Sequence, residues 1–123
     1  MTHSTAGVTV IVADDDALIR MVMRRALSQR GIQVVEAVDG TTAVDASARH
    51  QADLLITDAH MPGLSLLDTL AAIDELDDSP EVLVISGDSR SPLAPGITFL
   101  AKPIELELFL DAVDSLLSRR ASR

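Results

Sequence analysis

Three consecutive aspartates, Asp14, Asp15 and Asp16, directly follow an apolar stretch that is typical of a buried strand. Neighbouring carboxylates repel one another and resist ionising together, so water or a positive charge has to lie among them. Oxygen ligands at this density suit a hard divalent cation such as Mg²⁺. The plainer interpretation is that they begin a helix, because aspartate is a favoured N-cap residue and complements the helix dipole.

Three further polar residues close apolar runs: Asp58 in "LLITDAHMPG", Ser86 in "EVLVIS" and Lys102 in "FLAKPI". Considered singly, Asp58 is typical of a turn, Ser86 of a strand end and Lys102 of a charged surface position. Together they favour phosphoryl chemistry, with Asp58 as a carboxylate nucleophile that attacks phosphorus. Lys102 would place a point charge on one phosphoryl oxygen, and the Ser86 hydroxyl would donate to another. Phosphoryl transfer requires mainly positioning and charge neutralisation, which this set would supply.

The elements that must position these residues alternate along the chain. Five short apolar runs predict strands at residues 8–13, 32–37, 53–57, 81–86 and 97–101. Helical patterns lie between or after them, at residues 16–30, 40–50, 65–76 and 104–117. This alternation predicts an α/β fold with a doubly wound parallel sheet. The segment between the last two strands is rich in proline and glycine, so the helix expected there is shortened or missing.

Parallel topology places every candidate residue at the same edge. Ligands of open α/β sheets bind outside the carboxyl ends of the strands. Asp14 and Asp15 follow the first predicted strand, Asp58 the third, Ser86 ends the fourth and Lys102 follows the fifth. The sequence therefore predicts one site made of these five residues.

Composition limits the remaining possibilities. The 123 residues, 47% of them hydrophobic, predict one folded domain with a core at about 8–117 and flexible termini at 1–6 and 119–123. The chain has no cysteine, which excludes disulfides and thiolate metal ligands. A net charge of −9 disfavours nucleic acid and anionic membranes as partners. The sequence shows no signal peptide and no membrane-spanning apolar run, so we expect a cytoplasmic protein.

Five motifs in order carry a family resemblance: "VIVADDDALIR", "VVEAVDGTTAV", "LLITDAHMPG", "VLVISG" and "FLAKPI". The chain resembles the receiver domain of two-component response regulators, the family that includes the stand-alone chemotaxis regulator. The resemblance covers residues 8–117 and implies a flavodoxin-like sheet of order 2-1-3-4-5.

The resemblance also implies a role for each acidic residue. Asp58 would be the phosphoacceptor, phosphorylated by a histidine kinase or a histidine phosphotransfer protein. Asp15, Asp58 and the backbone carbonyl of His60 would contact Mg²⁺ directly, and Asp14 would help, often through water.

Further residues would convert phosphorylation into a signal. Ser86 would move toward the phosphoryl group, Lys102 would pair with it, and the Phe99 rotamer would follow the movement of Ser86. The domain would catalyse its own phosphorylation and hydrolysis, and thus be a switch for a downstream protein target, not a metabolic enzyme. Neither that target nor the oligomeric state is predicted by the sequence.

The first helix predicts a docking surface for the phosphoryl donor. Leu18 and Met21 face outward if the apolar face at Ile19, Val22, Met23, Ala26 and Leu27 is buried. Together with Pro103, they would contact a phosphohistidine protein. The alternative is that Leu18 and Met21 are ordinary scattered surface residues.

Two other functions fit parts of the sequence. A pseudo-receiver would keep the fold as an interaction module without phosphorylation. The stretch "VIVADDDAL" also echoes the Asp-x-Asp motif of haloacid-dehalogenase-like phosphatases, in which Asp14 would be the nucleophile. Phosphorylation of Asp14 instead of Asp58 distinguishes that enzyme from a receiver.

Overall fold

The computed structural model describes residues 7–87 and 96–123, which contain a five-stranded parallel sheet. Its order is β2-β1-β3-β4-β5, and every neighbouring pair is parallel. The α/β fold class and the order 2-1-3-4-5 are therefore confirmed. The strands are β1 (Thr9–Ala13), β2 (Gln33–Ala37), β3 (Leu54–Asp58), β4 (Glu81–Ser86) and β5 (Thr98–Ala101).

Helices cover both faces of the sheet, which explains why β1 and β3 are buried along their whole length. The first and last helices pack on one face, around Met23, Leu27, Phe109 and Val113. The two middle helices pack on the other face through small residues such as Ala43. The helices are α1 (Ala17–Ser28), α2 (Gly40–Arg49), α3 (Leu66–Asp74) and α4 (Leu106–Ala121).

Polar caps begin three of these helices shortly after the strand that precedes each one. Asp16 accepts from the backbone N–H groups of Leu18 and Ile19 at the start of α1. Asp39 caps α2 and Ser65 caps α3 in the same manner. Of the three consecutive aspartates, Asp16 therefore has the capping role, and the other two are left for the site.

Two predicted features lie outside the described residues. These are the amino-terminal segment 1–6 and most of the connection between β4 and β5, residues 88–95. The described residues contain four helices, which agrees with a shortened or missing helix in that connection.

Residues 119–123, for which the sequence predicts a flexible terminus, include the last turn of a helix. Helix α4 continues to Ala121, and three arginines in its last turn and just after it are ion-paired. Arg119 and Arg123 bind Glu81, and Arg120 binds Asp53. These contacts fix the end of α4 to the edge of the sheet opposite the predicted site.

The buried face of α1 is narrower than the apolar pattern predicts. Leu18 is exposed as predicted, but Val22, predicted to be buried, is 46% exposed. Met21, predicted to face outward, is half-buried. The inner stripe is centred on Met23 and Leu27, so Val22 lies on its solvent border, about 100° around the helix from Met23.

Candidate functional site

Three carboxylates meet where β1 and β3 end. One side-chain oxygen from each of Asp14, Asp15 and Asp58 lies within 4.8 Å of the others. Asp14 and Asp58 are buried, whereas Asp15 is exposed, so the group opens to solvent on one side. Topology accounts for the convergence, because β1 and β3 are neighbours in the sheet and their carboxyl ends coincide.

Asp14 is a fully buried acid with one unsatisfied oxygen. Its Oδ1 accepts the Asp16 backbone N–H at 2.8 Å. Its Oδ2 forms no hydrogen bond of good geometry and lies 3.2 Å from the Lys102 ammonium. Burial raises the pKa of Asp14, while the Asp16 N–H and the Lys102 charge oppose part of that rise. A second cation near Oδ2 would remove this penalty.

Lys102 is shared between two carboxylates. Its Nζ lies 3.2 Å from Asp14 Oδ2 and 3.3 Å from Asp58 Oδ2. Burial alone would lower the pKa of Lys102, but its close contacts and charge attraction with the Asp14 and Asp58 carboxylates outweigh burial and raise the pKa. The backbone N–H of Lys102 donates to the Ser86 carbonyl at 2.8 Å, which fixes the lysine to the end of β4.

Asp58 ends β3 and is held by the turn that follows it. The His60 backbone N–H donates to Asp58 Oδ1 at 3.3 Å. The Ala59 N–H donates to the Ile85 carbonyl at 2.8 Å, which ties the turn to β4. The His60 side chain is exposed. Asp58 thus presents a buried, oriented carboxylate to the opening of the site.

Ser86 and Phe99 lie on the same face of the sheet. Ser86 is fully buried at the end of β4 and pairs in register with Ala101. Phe99 is half-buried two residues before Ala101, opposite Val84. Because residues two apart point to one face of a strand, the serine hydroxyl and the phenyl ring are both on the α3 side.

The residues present fit Mg²⁺. The donors are three carboxylates, which are hard oxygen ligands, and Asp15 leaves the group accessible to water. Among the described residues, Asp14 Oδ2 is the one buried side-chain polar atom without a hydrogen-bond partner. One lysine pairs with two of the three carboxylates, Asp14 and Asp58, so the local charge is under-compensated without a cation.

An apolar groove adjoins the site between α1 and the loop after β5. Its volume is about 240 Å³, and Lys102 forms one of its walls. Of the three residues predicted to dock a donor, Leu18 and Pro103 line this groove and the side chain of Met21 does not. The groove is lined by Leu18, Ile19, Val22, Lys102, Pro103 and Ile104.

Arg20 is a site-adjacent residue that the sequence interpretation missed. Its guanidinium donates to the backbone carbonyl of Asp14 at 2.7 Å. The signal was present in the sequence, since Arg20 lies one turn after Asp16 and Glu36 is the penultimate residue of β2, the strand that borders β1. Neither spacing shows that Arg20 contacts a backbone atom.

Comparison with known proteins decides the family. The model of the response regulator receiver domain matches residues 10–114. The chain belongs to this receiver domain family. The chain is 35% identical over 119 residues to the response regulator MprA of Mycobacterium bovis. The aligned region covers 92% of this chain and 52% of MprA. The chain therefore spans about half the length of the curated relatives it matches.

Solved receiver domains share the fold. The signal receiver domain of the putative response regulator NarL from Mycobacterium tuberculosis is 32% identical, with a TM-score of 0.76. That match covers 96% of this chain and 99% of the NarL domain. A CheY-like receiver from Methanospirillum hungatei JF-1 has a TM-score of 0.81 at 21% identity, covering 95% of this chain and 99% of that one, which supports the fold. No helix in the part of the chain that the structure describes is long and apolar enough to cross a membrane.

Proposed function

We propose that this receiver domain accepts a phosphoryl group on Asp58 from a phosphohistidine protein, with Mg²⁺ bound beside it. The observation that carries the proposal is the acidic group itself: three converging carboxylates, one of them buried with an unsatisfied oxygen, beside one lysine. A purely structural cluster would have a cation for each carboxylate, whereas here Lys102 alone pairs with both Asp14 and Asp58.

Asp14, Asp15 and Asp58 would hold the cation, joined by the His60 backbone carbonyl. Bound there, Mg²⁺ neutralises the carboxylates and the phosphoryl oxygens that approach them. The chain's own residues keep the ligands in place: the Asp16 N–H orients the Asp14 carboxylate, and the His60 N–H orients the Asp58 carboxylate.

The transfer step uses the Asp58 carboxylate as the nucleophile. One of its oxygens attacks phosphorus, the new P–O bond forms and the P–N bond to the donor imidazole breaks. The bonding pair leaves with the imidazole nitrogen, and the product is an aspartyl phosphate. Lys102, kept protonated by its raised pKa, pairs with a phosphoryl oxygen.

Ser86 and Phe99 would report the modification to the surface. The Ser86 hydroxyl donates to a phosphoryl oxygen and shifts toward Asp58, which changes the space behind it on the α3 face of β4 and β5. Phe99 on that face repacks into this space. Attack of water on the aspartyl phosphate ends the signal, so the domain is a self-resetting switch acting in the cytoplasm.

The groove beside Lys102 would receive the donor protein. Leu18 is 62% exposed and Pro103 is also exposed, so the groove offers apolar contact within reach of the nucleophile. A helix that carries the phosphohistidine would cover Leu18 and Val22 and direct its imidazole toward Asp58.

Intact-mass spectrometry after incubation with acetyl phosphate tests the chemistry. We expect one base-labile phosphoryl adduct that depends on Mg²⁺, is lost in Asp58→Asn and is retained in Asp45→Asn. Asp45 is an exposed acid on α2, so its variant controls for the charge change. An adduct that persists in Asp58→Asn contradicts the proposal, and absence of both an adduct and Mg²⁺ binding favours a pseudo-receiver.

A double variant tests docking separately. Leu18→Glu with Val22→Glu should abolish transfer from a panel of phosphohistidine proteins of the source organism while leaving labelling by acetyl phosphate unchanged. Leu67→Glu is the matched control, because Leu67 is 69% exposed on α3 and does not line the groove. Transfer that survives in the double variant contradicts the docking surface.

A further inference from the structure

Arg20 joins helix α1 to the backbone of the site. Its Nη1 donates to the Asp14 carbonyl oxygen at 2.7 Å, and its Nε donates to Glu36 Oε1 at 3.0 Å. The side chain is 16% exposed, so this planar fork is largely shielded from water. Glu36, on the edge strand β2, also binds Arg24 Nε through its other carboxylate oxygen at 3.2 Å.

The bond to the Asp14 carbonyl acts on the peptide that links two proposed metal ligands. That carbonyl belongs to the peptide unit between Asp14 and Asp15, and a peptide unit is planar. The Asp14 backbone N–H donates to the Ala37 carbonyl at 3.2 Å. Asp14 is thus held on its amino side by β2 and on its carbonyl side by Arg20, so the direction in which Asp15 leaves the strand is fixed.

We propose that Arg20 is a positioning residue for the metal site: by holding the Asp14–Asp15 peptide plane, it sets the separation of the two carboxylates. This inference rests on the proposed Mg²⁺ site. Arg20 contacts neither carboxylate of this pair through its own charge, and it acts through the backbone and through Glu36.

Electrostatics and positioning make opposite predictions for this residue. A guanidinium near the carboxylates repels a cation, so removal of its charge alone would tighten Mg²⁺ binding slightly. Loss of positioning would weaken Mg²⁺ binding because the ligands are no longer preorganised. The sign of the change therefore separates the two explanations.

Calorimetric titration with Mg²⁺ alone tests the inference, with Arg24→Gln as the matched control. Both variants remove one positive charge from α1 and one ion pair to Glu36, but the structure assigns the bond to the Asp14 carbonyl to Arg20. We expect Arg20→Gln to raise the Mg²⁺ dissociation constant about tenfold, the lower end of the range for loss of a group that orients a ligand. Arg24→Gln should stay within about twofold of wild type.

Arg20→Lys provides the second variant. It keeps the charge, but a single ammonium does not reproduce a planar fork that binds the carbonyl and Glu36 together, so it should also weaken Mg²⁺ binding. Thermal unfolding in EDTA verifies that each variant is folded.

Three outcomes overturn the inference: equal affinity in Arg20→Gln and Arg24→Gln, tighter binding in Arg20→Gln, or full wild-type affinity in Arg20→Lys. Failure of the wild-type protein to bind Mg²⁺ would instead overturn the proposed function itself. The two failures are therefore distinguishable in the same titration.

Discussion

The sheet carries acidic and basic side chains both at its amino-terminal edge, where the strands begin, and at its carboxyl-terminal edge, where they end, but in different proportions. At the amino-terminal edge, Arg120 donates to Asp53 at 3.0 Å, to Asp78 at 3.0 Å and to the Ser79 carbonyl at 2.9 Å. Two more arginines bind Glu81 there. At the carboxyl-terminal edge, three carboxylates converge, one lysine pairs with two of them, and the buried Oδ2 of Asp14 has no hydrogen bond.

The difference distinguishes an anchoring network from the proposed phosphorylation site. Arginine forks meet the acids of the amino-terminal edge in fixed geometry and hold the end of α4, which favours stability. The acids of the carboxyl-terminal edge have a surplus of negative charge and one exposed member. Such a group costs stability, and binding of a cation or a phosphoryl group then has a larger effect.

Replacing Lys102 should produce the largest effect, and the quantity that changes should be the rate of phosphorylation. Lys102→Met removes the cation that lies beside both Asp14 and Asp58 and would pair with the transferring phosphoryl group. We expect the rate of labelling by acetyl phosphate, followed by intact mass, to fall about 100-fold, as for the loss of one charge-stabilising donor. A rate within about threefold of wild type would remove Lys102 from the proposed mechanism.

Replacing Arg120 should change stability but not reactivity. The Arg120 side chain is 12% exposed, and Arg120→Met leaves Asp53 and the Ser79 carbonyl without this donor. We expect the free energy of unfolding, measured with urea, to fall by about 2 kcal/mol while the labelling rate stays unchanged.

Arg49→Ala is the control for that comparison. Its ion pair with Asp45 is exposed on α2, so the cost should be about 0.3 kcal/mol. Equal losses for Arg120→Met and Arg49→Ala would show that the amino-terminal edge is no anchor.

Replacing Asp14 should change the free energy of unfolding less than replacing Arg120 does, and in the opposite direction. Burial raises the pKa of Asp14 above its ordinary value of 3.8. As pH falls, the Asp14 carboxylate therefore takes up its proton at a higher pH in the folded state than in the unfolded state. The stability contribution of this group is therefore present below pH 3.8 and lost as pH rises through the folded pKa.

Thermal unfolding in EDTA measures this effect. Asp14→Asn should melt a few degrees higher than wild type at neutral pH, and the advantage should shrink as pH falls toward the unfolded value. Addition of Mg²⁺ should stabilise the wild type more than the variant. A variant that melts lower than wild type at neutral pH in EDTA would contradict the interpretation that the buried, ionised Asp14 carboxylate destabilises the folded state.

The sheet was largely predictable from local sequence. Strands buried on both faces are almost continuously apolar, so β1 and β3 were found to within a residue. Parallel topology then required that Asp14, Asp58, Ser86 and Lys102 meet at one edge. Ser65 was predictable as the α3 cap because serine before an apolar run is a local signal.

Non-local contacts were not predictable in this way. Arg120 lies 67 residues from Asp53, and no pattern in the chain relates the two. Its ion pairs with Asp53 and Asp78 join the end of α4 to the amino-terminal edge of the sheet. The exposure of Val22 also depends on where α1 contacts the sheet, which the 3.6-residue period leaves uncertain by about one position.

The position of the phosphoryl group tests the central claim most directly. After labelling with acetyl phosphate and Mg²⁺, borohydride reduction converts an aspartyl phosphate to homoserine, and peptide mass spectrometry locates the modified residue. The account predicts homoserine at Asp58 and none at the neighbouring acids Asp14 and Asp15. Homoserine at Asp14 would contradict it and favour the phosphatase-like alternative, in which the first aspartate is the nucleophile.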